Sequence, residues 1–363
     1  MPEKGGTMES ITAMYMPILK TKKGEWEALK HLDEPDRKVT FPLIECTTLV
    51  LNSQQPAADH LKEHIDGIAT SMENSGAKQR TFGLDTSALL PTMPKQAKLL
   101  VNVCRRLAQK GLRIAPCILP QTISESPSEV AELGQYEHVI LRIAVSACLP
   151  TQVDQLIKDA WAALANRHVR LHVLLDMHDL AGGDAIAIAA SRKPYAIAAL
   201  GSSHAHTVIL AGGAFPYFLT GIPQGQTKIQ RLEWLVWRDL TEDADLAGLR
   251  FGDYTVTNPR PLEAIDPRKV SASAAIRYAR EDHWLLFKAG VAKKHGYNQY
   301  NTLSKLLITD SCYSGQTFSY GDERYHYHAQ PGAKPGNLWT WRRDATSHHL
   351  VLTAREIAKL HAP

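Results

Sequence analysis

Arg170-Leu-His-Val-Leu-Leu-Asp-Met-His-Asp179 is an apolar, β-prone run that turns polar abruptly at Asp176. A strand of this kind belongs in a parallel α/β sheet, where both strand faces are buried and chemistry gathers beyond the carboxyl ends. The pattern recurs along the chain. Phe41-Pro-Leu-Ile-Glu45, Thr81-Phe-Gly-Leu-Asp85, Val139-Ile-Leu-Arg142 and Leu249-Arg-Phe-Gly-Asp253 are each a short apolar run closed by a charge.

Between these runs lie helical patterns. Leu61, Ile65 and Ile68 share one face, as do Leu99, Leu100, Val103 and Leu107, and then Val153, Leu156, Ile157, Ala160 and Leu164. Read in order, strands are expected near 15–19, 38–46, 80–85, 113–119, 138–145, 170–179, 207–211 and 249–256. Strand–helix alternation implies parallel pairing, and eight such units close into a (β/α)8 TIM-like barrel, whereas five or six would leave an open doubly wound sheet. The barrel is assigned to residues 14–260. From 261 to 363 the pattern changes to a C-terminal β-rich, aromatic extension, expected near the barrel mouth as an appended subdomain or a lid. Strands are expected at 271–278 and 284–287, and a helix at 297–308.

The chain has 363 residues, 44% hydrophobic and 21% charged, with a formal charge of +4. This mildly basic balance is compatible with nucleic acid or phosphate partners. Cys46, Cys104, Cys117, Cys148 and Cys312 are scattered and odd in number, which argues against a disulfide framework and for a reducing cytoplasm. No apolar run reaches the roughly 20 residues of a membrane helix, and the first thirteen residues lack the apolar core of a signal peptide. There is no Walker loop, no G-x-S-x-G elbow, no H-E-x-x-H and no G-x-G-x-x-G, which removes the commonest ATPase, esterase, zinc-protease and dinucleotide readings.

Met16-Pro-Ile-Leu-Lys20 with Gly24-Glu25, Pro42-Leu-Ile-Glu45, Gly212-Gly-Ala-Phe-Pro216, Phe251-Gly-Asp-Tyr254, Ile276-Arg-Tyr278 and Trp341-Arg342 with His348-His349 together resemble the phage and bacterial beta family of proteins. The resemblance spans about Tyr15 to Leu352. It implies a single shared architecture and a setting in phages and bacterial anti-phage islands, with a possible protein partner in a defence complex. It supplies no reaction.

In a closed barrel the carboxyl ends of the strands share one face. Lys20, Glu45, Asp85, Arg142, Asp176 and Asp253 are expected to converge there. Several carboxylates at one mouth repel unless a cation sits among them. One solution is a Mg2+- or Mn2+-like ion on Glu45, Asp85 and Asp176, which with Lys20 would form the catalytic set. The other is direct pairing with Lys20 and Arg142. For each charge the plain alternative is the start of a solvated loop. Arg142, Asp253 and a phosphate cradle at Gly212-Gly213 are the expected substrate contacts, the alternative for the glycines being a tight turn of positive φ. Arg277 and Tyr278 join them from the family motifs. Trp341, Arg342, His348 and His349, in a stretch rich in Trp, Arg and His, suit stacking on bases and contact with phosphates, or else the core of a compact β-subdomain. His178 is a candidate base or ligand, Asp179 a candidate helix cap. The expected activity is that of a hydrolase or lyase, nuclease-like, on a nucleotide or nucleic acid. The alternative is a non-catalytic module that binds a nucleotide or a phage protein, its mouth charges paired ion by ion.

Overall fold

The computed structural model describes residues 15–51, 56–91, 96–166, 168–260 and 272–360. The proposed limits of the two regions, at 14 and at 260/261, and the question of a signal peptide touch segments outside these residues.

Eight parallel strands close a barrel: β1 (Tyr15–Lys20), β2 (Leu43–Glu45), β3 (Phe82–Asp85), β4 (Ile114–Ile118), β5 (His138–Ala144), β6 (Arg170–Asp179), β7 (Thr207–Gly213) and, after an inserted strand β8 (Gly225–Gln230), β9 (Leu249–Asp253). Each strand pairs with the next barrel strand, and β9 closes on β1 with Pro17 opposite Asp253. The eight strands expected from the sequence are these eight. Their runs are apolar on both faces because one face meets helices and the other meets the barrel interior.

Side chains alternate along each strand, which sorts the core into two layers. Leu171, Val173 and Leu175 face the surrounding helices in the larger core. Met16, Ile18, Leu43, Ile140, Leu174 and Ile209 fill the interior, with Tyr254 at its upper end. The interior is tight. A Cβ at Gly83 would come within 2.6 Å of the Ile140 side chain, so only glycine fits there. At the amino end of the barrel, His138 Nδ1 lies 2.9 Å from His172 Nε2, and His172 Nδ1 lies 2.6 Å from Thr207 Oγ1.

The remaining strands form a separate antiparallel sheet. β11 (His283–Val291) lies between β10 (Ser273–Ala279) and β8. The inserted strand β8 thus stitches the barrel to the C-terminal region. That region is more helical than β: helices Gln299–Thr309, Tyr320–His328 and Leu338–Leu360 follow the sheet and outweigh its strands. The stretch 321–349, expected to be a subdomain or lid without periodicity, is largely these last two helices. The long helix Leu338–Leu360 packs against the helix Lys23–Lys30 and against β1. It takes the place on the barrel wall where a helix following β9 would lie.

Candidate functional site at the barrel mouth

Inward parity brings Glu45, Asp85, Arg142 and Asp176 together at the carboxyl ends of β2, β3, β5 and β6. Arg142 is the hub. Its Nη1 donates to Glu45 Oε1 and to Asp85 Oδ2, both at 2.7 Å. Its Nε and Nη2 donate to Asp176 Oδ2 at 3.0 and 2.7 Å, and Nη2 also reaches the Tyr254 hydroxyl at 2.5 Å. That hydroxyl donates onward to Asp176 Oδ2 at 2.8 Å. A guanidinium has five N–H groups, and the floor of the mouth takes all five. Burial alone would weaken the proton of Arg142, but Tyr254, Asp176, Glu45 and Asp85 outweigh it and hold the group firmly cationic.

The second oxygens are engaged too, with one exception. Asp85 Oδ1 accepts from the Ser87 amide, and Asp176 Oδ1 from the His178 amide. For Glu45 Oε2 no partner is seen among the described residues. Burial, reinforced by the Asp85 charge, raises the Glu45 carboxyl above the ordinary range against the opposing pull of Arg142 and Lys20. Glu45 lines a cavity of about 790 Å³ that opens above this floor.

Lys20 and Lys22 stand on the β1 side of the same cavity, and His178 on the β6 side. Lys20 Nζ is 3.5 Å from the Asn258 carbonyl. Its backbone amide donates to the buried Glu25 carboxylate. Burial, with help from the Arg342 charge, lowers Lys22 to about 8.

Several expected contacts lie elsewhere. Arg142 has no donor left for a phosphate, so it is a floor residue rather than a substrate clamp. Glu45, Asp85 and Asp176 do converge, but on the guanidinium. One oxygen among the three carboxylates is left over, and among the described residues no cluster of three or more His, Cys, Asp or Glu is placed to hold a metal. Asp253 sits one position out of phase with Gly252 and Tyr254 and points outward. Its carboxylate accepts from Tyr15 Oη at 2.8 Å, lies 2.6 Å from His349 Nε2 and faces the fully buried Arg231. Gly212 and Gly213 end β7 with neither in positive φ. Each lies against side chains, Leu180 for Gly212 and Pro259 for Gly213, so they serve close packing rather than a phosphate or a tight turn.

The C-terminal cluster is core, not a binding face. Trp341 stacks on Tyr300 with ring centroids 4.2 Å apart. His348 and His349 are wholly buried. His348 bridges Asp322 and the Ala279 carbonyl at 2.8 and 2.9 Å. Tyr278 donates to Asp322 at 2.7 Å, and Arg277 donates to the Val256 carbonyl while lying over the Phe215 ring. Arg342 alone of the group approaches the mouth, 3.8 Å from Glu25. His178 sits on an irregularity of β6 with φ of 59° and is exposed. Asp179 caps no helix; Asp184 does, accepting from the Ala187 amide.

Two mouth residues were not anticipated. Tyr254 shares the inward parity of Gly252, two residues before it, but nothing in the run itself marks that parity as the inward one. Lys22 lies beyond the strand, and nothing in its neighbours distinguishes it from Lys23.

The family model described as Beta protein matches residues 15–355. The chain belongs to the Beta protein family. The match takes in the whole barrel and the C-terminal sheet, so the mouth and the Asp253–His349 junction both lie within the family's span. No curated protein is similar enough to count as a relative. Among the described residues no helix is long and apolar enough to cross a membrane.

Proposed function

We propose that the barrel mouth binds a phosphate-bearing ligand, a nucleotide or the end of a nucleic acid, and transforms it by hydrolysis or elimination. The observation that carries this reading is Glu45. One of its oxygens is fixed by Arg142, the other has no partner among the described residues, and burial raises its carboxyl above the ordinary value, the direction that favours proton exchange nearer neutrality. Lys20 and Lys22 stand on the side where an anion would be met. Arg142, Asp85, Asp176 and Tyr254 act through Glu45, holding it in one orientation. The setting proposed is conflict between phage and bacterium, in the cytoplasm.

The test pairs binding with turnover. Inorganic phosphate and AMP are titrated by calorimetry into the whole protein, and a panel of phosphate mono- and diesters is followed by phosphorus NMR. Glu45→Gln should bind these probes and turn over none. The double variant Lys20→Ala/Lys22→Ala should lose binding at least tenfold. Absence of any phosphate binding sinks the reading. Titrations with magnesium, manganese and EDTA show whether a divalent ion shares the site, which would require the carboxylates to release Arg142.

A second reading has its own support. A guanidinium with every donor satisfied makes a rigid floor, as suits a non-catalytic module that recognises a nucleotide or a phage protein. It predicts probe binding with no turnover, and a Glu45→Gln variant that protects bacteria from phage, in a plating assay, as well as the wild type does.

A further inference from the structure

The walls of the mouth differ from one another. Lys20 and Lys22 form one side, whereas Leu119, Pro120, Ala147 and Leu156, from the segments after β4 and β5, put apolar groups on the other, with Gln121 and Gln152 among them. These apolar groups are only partly covered, so a ligand pressed against them would remove them from water. Among the described residues that line the cavity there is no Phe, Tyr or Trp, and the one aromatic ring is the His178 imidazole. Nucleobases are ordinarily held by stacking on such rings, and the Trp341 ring that promised this is locked against Tyr300. The volume, about 790 Å³, is that of a site for one metabolite-sized molecule.

We infer that the mouth takes a small amphipathic phosphate ester, with the phosphate at Lys20 and Lys22 and an aliphatic body along Leu119, Ala147 and Leu156, in preference to a nucleotide or a nucleic acid strand. This rests on the reading of the two lysines as the anion's partners, keeps the phosphate of that reading and puts an aliphatic body where it had a nucleoside. An apolar body against this wall places the ester oxygen between the lysines and Glu45, where a proton must be supplied or taken.

The experiment is a calorimetric series on the whole protein with inorganic phosphate, ethyl, butyl and hexyl phosphate, AMP and a twelve-nucleotide single strand of DNA. Affinity should rise along the alkyl series by up to roughly fourfold per methylene buried, and at least tenfold from inorganic to hexyl phosphate. Ala147→Gln, at an exposed position, and Leu119→Gln should each cut the gain per methylene, with thermal melts confirming that both fold. A flat alkyl series, or AMP or the oligonucleotide binding as tightly as hexyl phosphate, overturns the inference while leaving phosphate binding intact. Failure of every probe to bind overturns the underlying reading of the lysines, and this inference with it.

Discussion

Arg142 meets Asp176 side-on: Nε and Nη2 both point at the same carboxylate oxygen, Oδ2, at 3.0 and 2.7 Å. That geometry leaves Nη1 to reach across the barrel to Glu45 and Asp85. A single base thereby cross-links four strands through their side chains, β5 being tied to β2, β3 and β6. The buried charges are worth little relative to an apolar floor, but breaking the set by removing one member is expensive. Arg142→Met should lower stability at pH 7 by about 3–5 kcal/mol, read from urea denaturation midpoints. The three carboxylates would then be buried without their shared cation, and Glu45, already raised with Arg142 beside it, would lose that opposing pull and bind its proton still more tightly than in the unfolded chain. The native variant would bind more protons than its unfolded state, so its deficit should shrink as pH falls through the carboxylate range. A deficit independent of pH would mean that packing, not charge, is what Arg142 supplies.

Replacing Glu45 should change stability in the opposite direction to replacing Arg142. Burial raises its carboxyl above the ordinary value of 4.5 even with Arg142 beside it. A raised carboxyl binds protons more tightly in the folded than in the unfolded chain. Its contribution is therefore fully present below the unfolded value and is lost as pH climbs through the folded one. Glu45→Gln keeps an oxygen for Arg142 and has no charge to bury. Its melting temperature at pH 7.5 should equal or exceed that of the wild type, and the gap should close as the pH is lowered toward 4. A variant markedly less stable at pH 7.5 would show that the ionised carboxylate is needed to hold Arg142.

How much of this was legible in the sequence depends on what each residue answers to. The eight barrel strands could be read because their runs are continuously apolar and stop at a charge, a local property. The same continuity hides which face is which. Leu249-Arg-Phe-Gly-Asp253 gives no sign that Asp253 faces outward, and it is Tyr254, not the acid, that reaches the mouth. The helix Leu338–Leu360 was hidden for a related reason. Polar residues fall among its buried positions, Asp344, Ser347, His348 and His349 included, so no apolar stripe marks it. Those residues are satisfied by partners far away in the chain, Asp322 for His348 and Asp253 for His349, and spacing along the sequence cannot announce such pairs. The strand β8 was missed because it is short, polar and mostly exposed, and is a strand only because β11 lies beside it.

The junction between the barrel wall and the C-terminal helix turns on Asp253. It accepts from Tyr15 on β1 and faces His349 and the fully buried Arg231. Asp253→Asn keeps the shape and removes the charge, leaving Arg231 buried beside an amide, with the Glu233 carboxylate 3.6 Å from Nε as the remaining acid. The expected cost is on the order of 3–5 kcal/mol. It should be local before it is global: hydrogen exchange in 338–360 should accelerate more than in β5 or β6. Uniform acceleration across both regions would show that the helix and barrel unfold as one unit, with no separable junction.

At the opposite end of the barrel, the His138–His172 pair should make the fold sensitive to mild acid. Both rings are buried, and the 2.9 Å contact requires that one nitrogen donate while the other accepts, so the two rings cannot both be protonated without breaking it. Burial is the main cause that brings His138 down to about 4; Arg170, His206 and Arg113 add to it against the pull of Glu137. His172 falls well below its usual value, again chiefly through burial, with His138 and His206 adding to it. The unfolded chain therefore binds more protons than the native one between pH 6.5 and about 4. Stability from this pair is complete above 6.5 and drains away as pH falls through that window. His138→Gln cannot take up a proton and leaves His172 a neutral partner. In urea titrations at pH 7.5 and pH 5, the wild type should lose more stability between the two than this variant does. Equal losses would assign the acid sensitivity to groups elsewhere and leave the pair a packing feature of the barrel's amino end.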